Sequence, residues 1–296
     1  MPSYSFVTVD VFTDRRFGGN PLAVFPDARG LSDDAMQALA AEFNLSETTF
    51  VLPPEDPAHT ARVRIFTPRT ELPFAGHPNV GTGYVLAQAG RDRDGVLVFE
   101  ESAGLVEIQV DRSADGSVSG AVIAAPQPLS LGPCLPTDVV SACAGLDPAE
   151  VVVAAHPPVL ASVGTEFVIA EVLGAALGRA TPDVSRFRRE IAGRPALNGR
   201  FGLHLYACEG DRIRTRMFAP LAGIPEDPAT GSANAALAAL LLSRTADAEA
   251  RYAIVQGVEM GRPSLLRATA RRGSDGGIRA TVGGGCVPVL RGEAQV

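Results

Sequence analysis

Two short stretches, half a chain apart, carry residues that could do chemistry. The first runs Arg64-Ile65-Phe66-Thr67-Pro68, then a spacer, then Gly76-His77-Pro78-Asn79-Val80-Gly81-Thr82-Gly83. The second runs Arg216-Met217-Phe218-Ala219-Pro220, then a shorter spacer, then Glu226-Asp227-Pro228-Ala229-Thr230-Gly231-Ser232-Ala233. Aligned on Pro78 and Pro228, they set His77 over Asp227, Gly81 over Gly231 and Thr82 over Ser232. Each reads as a strand end, a turn and a helix that begins with proline, where a missing N–H costs nothing. His77 and Asp227 are then the N-caps. Asp is a common cap and His is not, so capping explains Asp227 and leaves His77 for another task. A helix N-terminus offers unsatisfied N–H groups and the positive end of a dipole, which together suit a small anion. Two such ends opening on one cleft would hold a substrate carboxylate.

The elements that must position these residues can be read from the chain. Pro78 to Ala89 and Pro228 to Ser243 carry almost no charge, and a helix apolar on every side is buried on every side. Two domains follow, each with strands wrapped around one central helix. Phe6 to Phe12 alternates as a strand, Phe17-Gly18-Gly19-Asn20-Pro21 is a turn, and Leu22 to Phe25 continues as a strand. Ser32 caps a helix in which Met36, Leu39, Ala40 and Phe43 share one face, and Asn44 ends it in the left-handed region. A strand starts at Ser46, so Glu47 sits at a helix-to-strand junction, from which a side chain can project into a cleft. Further strands are expected at residues 62–67, 96–100, 105–110 and 118–123. The four-proline stretch from Ala124 to Pro136 reads as a linker. A helix at 138–144 and strands near 167–172, 203–208, 212–218, 252–256 and 265–270 repeat the plan. The boundaries are residues 1–123 for the first domain, with 284–296 returning to it, and 124–283 for the second.

Composition narrows the function. The 296 residues suit two domains of about 150 each. A net charge of −7 with both signs interspersed gives no basic stripe, so no nucleic acid is expected. The charge-free helices are too short for membrane spans, and the N-terminus reads as a strand rather than a signal peptide, which makes the cytoplasm the default. All 26 basic residues are arginine; without lysine there is no Schiff base and no phosphate-loop lysine. Cys134, Cys143, Cys208 and Cys286 form no Cys-x-x-Cys pair and adjoin no histidine, and His59, His77, His156 and His204 form no metal-ligand pattern. No metal and no cofactor are expected.

Taken together, Asn20-Pro21 after Phe17-Gly18-Gly19, Leu45-Ser46-Glu47-Thr48, Glu71-Leu72-Pro73-Phe74-Ala75-Gly76-His77-Pro78 and Glu226-Asp227-Pro228-Ala229-Thr230-Gly231-Ser232-Ala233 resemble the PhzF phenazine-biosynthesis isomerase family, in order and over nearly the whole chain. The resemblance implies an α+β fold of the diaminopimelate-epimerase type. In that fold two pseudo-symmetric domains, each a barrel-like, mostly antiparallel sheet around a central helix, have the active site between them. Where the cysteine-dependent racemases of this fold place thiols at the helix N-termini, His77 and Asp227 are expected here, with no cysteine near them. The resemblance therefore implies isomerisation by proton transfer. The glutamate matching Glu47 moves the proton, and the residues matching His77 and Asp227 orient and polarise the substrate. Those matching Asn20, Ser46, Gly76, Gly231 and Ser232 bind it. Asn79 departs from the threonine usual after Gly-His-Pro. The expected protein is a homodimeric, cofactor-independent isomerase acting on a small anionic, cyclic metabolite. The rivals are a dehydratase using the same Glu47 and a binding protein that keeps only the fold.

Overall fold

The computed structural model describes residues 2–197, 199 and 201–296. Two compact units divide the chain, one made of the residues up to Ala124 with Gly283–Val296, the other of Ala125–Val282.

The first unit contains β1 (Ser3–Val11), β2 (Asn20–Phe25), α1 (Asp33–Phe43), β3 (Glu47–Leu52), β4 (Ala61–Phe66), β5 (Glu71–Leu72), α2 (Gly76–Gln88), β6 (Val96–Glu101), β7 (Gly104–Arg112) and β8 (Val118–Ala124). Pairing runs β1–β2–β3–β4–β6–β7–β8, with β2–β3 and β4–β6 parallel and the rest antiparallel. The last strand of the chain, β18 (Ile278–Gln295), pairs with both β1 and β8 and closes an eight-stranded barrel. α2 fills it, packed against β1, β2, β3, β7 and β8. Eleven of its residues from Gly76 to Ala87 are buried, as an all-round uncharged helix requires. The fit is tight at Gly81, where an added Cβ would come within 2.6 Å of Leu22 Cδ2 and 2.7 Å of Val11 Cγ2. Overpacking of that kind costs roughly 1–3 kcal/mol.

The second unit contains β9 (Ser130–Cys134), α3 (Thr137–Ala144), β10 (Val151–Val152), β11 (Val159–Ser162), β12 (Glu166–Val172), α4 (Gly174–Leu177), α5 (Val184–Ala192), β13 (Leu203–Glu209), β14 (Arg212–Ala219), β15 (Ile224–Asp227), α6 (Gly231–Ser243), β16 (Glu249–Gln256) and β17 (Ser264–Arg272). Its strands pair in the order β9–β11–β12–β13–β14–β16–β17, again with two parallel steps, β12–β13 and β14–β16. α6 packs against β11, β12, β16 and β17.

Local signals explain much of this. Ser32 caps α1 by accepting from Ala35 N–H, and Asn44 ends the helix at φ 51°. The turn before Asn20 demands Gly19, whose φ is +64° and whose added Cβ would lie 2.3 Å from Val11 O. Two expectations need correction. The proline-rich stretch from Ala124 to Pro136 is not a plain linker, because it contains β9, which pairs with β11. The helix caps are also different: Ala75 caps α2 and Thr230 caps α6. His77 lies inside the first turn, and Asp227 is still in β15, laddered to Met217. The first four N–H groups of a helix lack intrahelical partners, so Pro78 is tolerated at the third position as well as the first. Proline marked the first turn, not its first residue.

Candidate active site

In the first unit Asn20, Ser46, Glu47 and His77 come together. Asn44, in the left-handed region, turns the chain out of α1, and Glu47 opens β3 beside Leu22. Asn20 opens β2, and His77 is in the first turn of α2. The Ser46 hydroxyl donates to Asn20 Oδ1 at 3.0 Å, and Asn20 Nδ2 lies 3.3 Å from His77 Nδ1. A ring that accepts the amide N–H at Nδ1 carries its proton on Nε2, which is 3.4 Å from Glu47 Oε2 without forming a hydrogen bond in this structure. Asn20 is fully buried, and the His77 and Glu47 side chains are only 6% and 12% exposed. Burial drives the pKa of His77 down to about 3, with the Pro21 carbonyl opposing it. The ring is therefore a neutral hydrogen-bond donor at pH 7.

In the second unit the polar cluster surrounds the start of α6. The Thr230 hydroxyl donates to Asp227 Oδ2 at 2.5 Å. Gln256, fully buried at the end of β16, clamps the same segment. Its Nε2 donates to Asp227 O at 2.8 Å and to Thr230 Oγ1 at 3.1 Å, while its Oε1 accepts from Thr230 N–H at 3.2 Å and Asn234 Nδ2 at 2.7 Å. Asn234 Nδ2 also reaches Thr230 O, and Asn234 Oδ1 lies 3.1 Å from His204 Nε2. Burial pushes the His204 pKa down to about 4. Gln256, Thr230, Asn234 and His204 were absent from the expected site. Thr230 stands in the quoted motif without a role assigned to it and Asn234 directly follows that motif, whereas Gln256 and His204 are distant in sequence from the groups they hold.

Comparison of the internal geometries corrects the register of the repeat. Arg64 makes a two-pronged contact with Glu71 (2.8 and 2.7 Å), and Arg216 makes the same contact with Glu226 (2.8 and 2.8 Å). Each arginine also covers the phenylalanine two residues on, at 5.1 and 5.0 Å. Asn79 Nδ2 donates to the capping carbonyl of Ala75, as Asn234 Nδ2 does to that of Thr230. Glu71 through Asn79 therefore matches Glu226 through Asn234 without a gap. Pro73, not Pro78, is the counterpart of Pro228. His77 corresponds to Ser232, Ala75 to Thr230 and Leu72 to Asp227. Gly76 and Gly231 are the first residues of their helices, and no side chain caps either end.

One cysteine comes closer than the sequence indicated. Cys286 Sγ lies 4.0 Å from Val80 O, against α2. Its thiol is buried, and burial pushes its pKa up, which disfavours the thiolate a nucleophile needs. Among the described residues, no group of three His, Cys, Asp or Glu side chains is placed to hold a metal ion, and no helix is long and apolar enough to cross a membrane.

A family model described as phenazine biosynthesis-like protein, PhzC-PhzF, matches residues 9–292. An uncharacterized isomerase of Mesorhizobium japonicum is 39% identical over 302 residues, covering 99% of this chain and 99% of the relative. The trans-2,3-dihydro-3-hydroxyanthranilate isomerase of Pseudomonas aeruginosa is 37% identical over 299 residues, covering 99% of this chain and 100% of the relative. Among solved structures, a PhzF-family protein of Bacillus anthracis superposes with a TM-score of 0.88 over 100% of both chains at 24% identity. That last likeness concerns the fold.

Proposed function

The chain belongs to the phenazine biosynthesis-like PhzC-PhzF family and is an isomerase of that kind, and from that premise we propose that it moves a proton within a small cyclic carboxylate resembling 2,3-dihydro-3-hydroxyanthranilate, without an added cofactor. The observation that carries the reading is the buried pair of Glu47 and neutral His77, 3.4 Å apart. Glu47 takes a proton from one carbon as the electron pair of that C–H bond enters the neighbouring double bonds. The Glu47 carboxylic acid then returns the proton to another carbon of the same conjugated system. Atoms and electrons balance with no oxidant and no leaving group. His77 Nε2, 3.4 Å away, aims the carboxylate. Asn20 and Ser46 hold His77, so Asn20 serves the reaction through the ring and not by touching the substrate. The first-turn N–H groups at Gly231, with Ser232 in the same turn, suit a small carboxylate, and Asp227 is assigned the polarising role that the family resemblance implies.

The test is incubation with trans-2,3-dihydro-3-hydroxyanthranilate in D2O, followed by NMR and mass spectrometry. A product of unchanged skeleton carrying at most one solvent deuteron is expected. Loss of the mass of water would favour elimination instead, and inert behaviour toward every cyclic dihydro-hydroxy carboxylate tried would sink the substrate class. Asp227→Asn, which keeps shape and most hydrogen bonds, should lower turnover by about 10²-fold or more, as removal of one preorganised electrostatic group does.

A further inference from the structure

The corrected register pairs one more set of residues. In the second unit, parallel strands β14 and β16 set Arg214 beside Val255 and Thr215 beside Gln256. In the first, β4 and β6 set Ala61 beside Phe99 and Arg62 beside Glu100. Because Arg64 corresponds to Arg216, Arg62 corresponds to Arg214, Glu100 to Val255 and Glu101 to Gln256. Glu101 thus occupies, beneath the start of α2, the place from which Gln256 clamps the start of α6. Its two carboxyl oxygens are closed to solvent and have no hydrogen-bond partner. The polar side chain facing it is Asn79, whose Nδ2 is bound to Ala75 O and whose Oδ1 also lacks a partner. If Glu101 were ionised, its two oxygens would be buried acceptors whose polar neighbour, Asn79, has its Nδ2 already bound to Ala75 O and its Oδ1 without a donor. A single proton on Glu101 supplies a donor for Asn79 Oδ1.

We propose that Glu101 is held as the neutral carboxylic acid and in that form is a positioning residue for the first turn of α2, and hence for His77, as Gln256 is for the Asp227–Thr230 segment. Burial supports this by raising the Glu101 pKa to about 8 against the opposing pull of the Asn79 side chain. The charged groups around it do not offset that burial. Glu101 lines an open cleft of about 720 Å³ with Arg64, Arg62, His59, Glu71, Asp33, Glu55, Glu100 and Asp56. There Arg64 is paired with Glu71 and Asp33, Arg62 through Nη1 with Glu55, and His59 with Glu100; the Arg62 Nε–H is buried without a partner, and among the described residues no ion pair reaches Glu101. Above about pH 8 the carboxylate forms among acceptors, and the start of α2 loses its clamp.

Two tests need no substrate, whereas a third rests on the isomerase reading. In the infrared difference between the parent and Glu101→Gln, a protonated-carboxyl band should be present at pH 6 and vanish with a midpoint near pH 8. Its absence at pH 6 would overturn the proposal. The folded state keeps a proton that the unfolded chain gives up near pH 4.5. The unfolding constant of the parent relative to Glu101→Gln should therefore rise about tenfold per pH unit between pH 4.5 and 8; a flat ratio would overturn it. In turnover, the parent should lose rate as pH rises through 8, Glu101→Ala should be impaired throughout, and Glu101→Gln should rescue it and lack the alkaline loss. An alkaline loss that survives in Glu101→Gln would reject the positioning role. If the parent shows no turnover at all, the isomerase reading fails while the first two tests still decide the state of Glu101.

Discussion

Glu47→Gln is the substitution that separates chemistry from architecture most sharply. The side chain is 12% exposed and faces His77 Nε2 at 3.4 Å. Glutamine can turn its Oε1 to the same place, so the contact persists while the charge is lost. A hydrogen bond to a charged group is worth about 1.5–3 kcal/mol and a neutral one about 0.5–1.5. At 3.4 Å His77 Nε2 forms no hydrogen bond, so the cost in stability should be at most about 1 kcal/mol. Catalysis loses far more, because an amide cannot take the proton. General acid–base catalysis contributes roughly 10²–10⁴-fold, or about 3–5 kcal/mol of barrier. The assay is single-turnover conversion of the dihydro-hydroxyanthranilate followed by absorbance, beside urea unfolding and binding of an inert aromatic carboxylate. The expected result is a fall in rate of at least 10²-fold, with binding unchanged within a few-fold. Turnover within about tenfold of the parent would refute the assignment and make Asp227 the candidate base.

The remaining expectations are as concrete. Nitrogen-15 spectra of the His77 ring should show a neutral Nε2–H tautomer at pH 7, and Asn20→Leu should abolish that preference; a protonated ring would contradict the burial argument. His77 and His204 have folded pKa values depressed to about 3 and 4, so the unfolded chain binds more protons below pH 6.5 and stability must fall as pH falls. The slope is about 1.4 kcal/mol per pH unit for each ring, and urea titrations between pH 6.5 and 4.5 should show it reduced by about one ring's share in His204→Gln, with His156, also depressed by burial, contributing in both proteins. Gln256→Leu strips partners from Thr230, Asn234 and the Asp227 carbonyl, and at about 1–3 kcal/mol per stranded group it should cost at least about 3 kcal/mol in denaturant unfolding. A variant lacking all four cysteines should turn over at the parent rate once folded, since neither the exposed Cys134 and Cys208 nor the buried Cys143 and Cys286 are in the proton path. Substrate deuterated at the migrating position should keep part of its label in the product, because one shielded carboxylate both takes and returns the proton; complete washout would indicate two bases.

What the sequence disclosed follows the range over which each signal acts. Ser32 and Asn44 bracket α1 by contacts within a turn, so their roles could be read directly. The uncharged lengths of α2 and α6 announced their burial in the same way. β9 was hidden because prolines suggest a linker, although an edge strand tolerates them and β11 supplies a partner. Helix α5, which Asp183 caps, was also overlooked. Gln256 was out of reach for a different reason: its role exists only once β16 lies beside β14, and nothing in the residues around it announces an amide clamp.

The register of the repeat bears on mechanism. Two prolines, Pro73 just before α2 and Pro78 in its first turn, can be set against Pro228. The paired Arg–Glu forks favour Pro73 instead. Once that shift is made, the two halves share their architecture and differ in their chemistry. Thr48 lies opposite Phe66 as Leu203 lies opposite Phe218, so the counterpart of Glu47 is Gly202, which has no side chain. The counterpart of His77 is Ser232, which cannot act as a base at neutral pH. A pseudo-symmetric racemase needs matched groups to take a proton from one face and deliver another to the opposite face. Here the matched position is empty of any acid or base. On the proposed reading Glu47 takes both steps, and the asymmetry of the two halves suits a reaction that relocates a proton without inverting a centre.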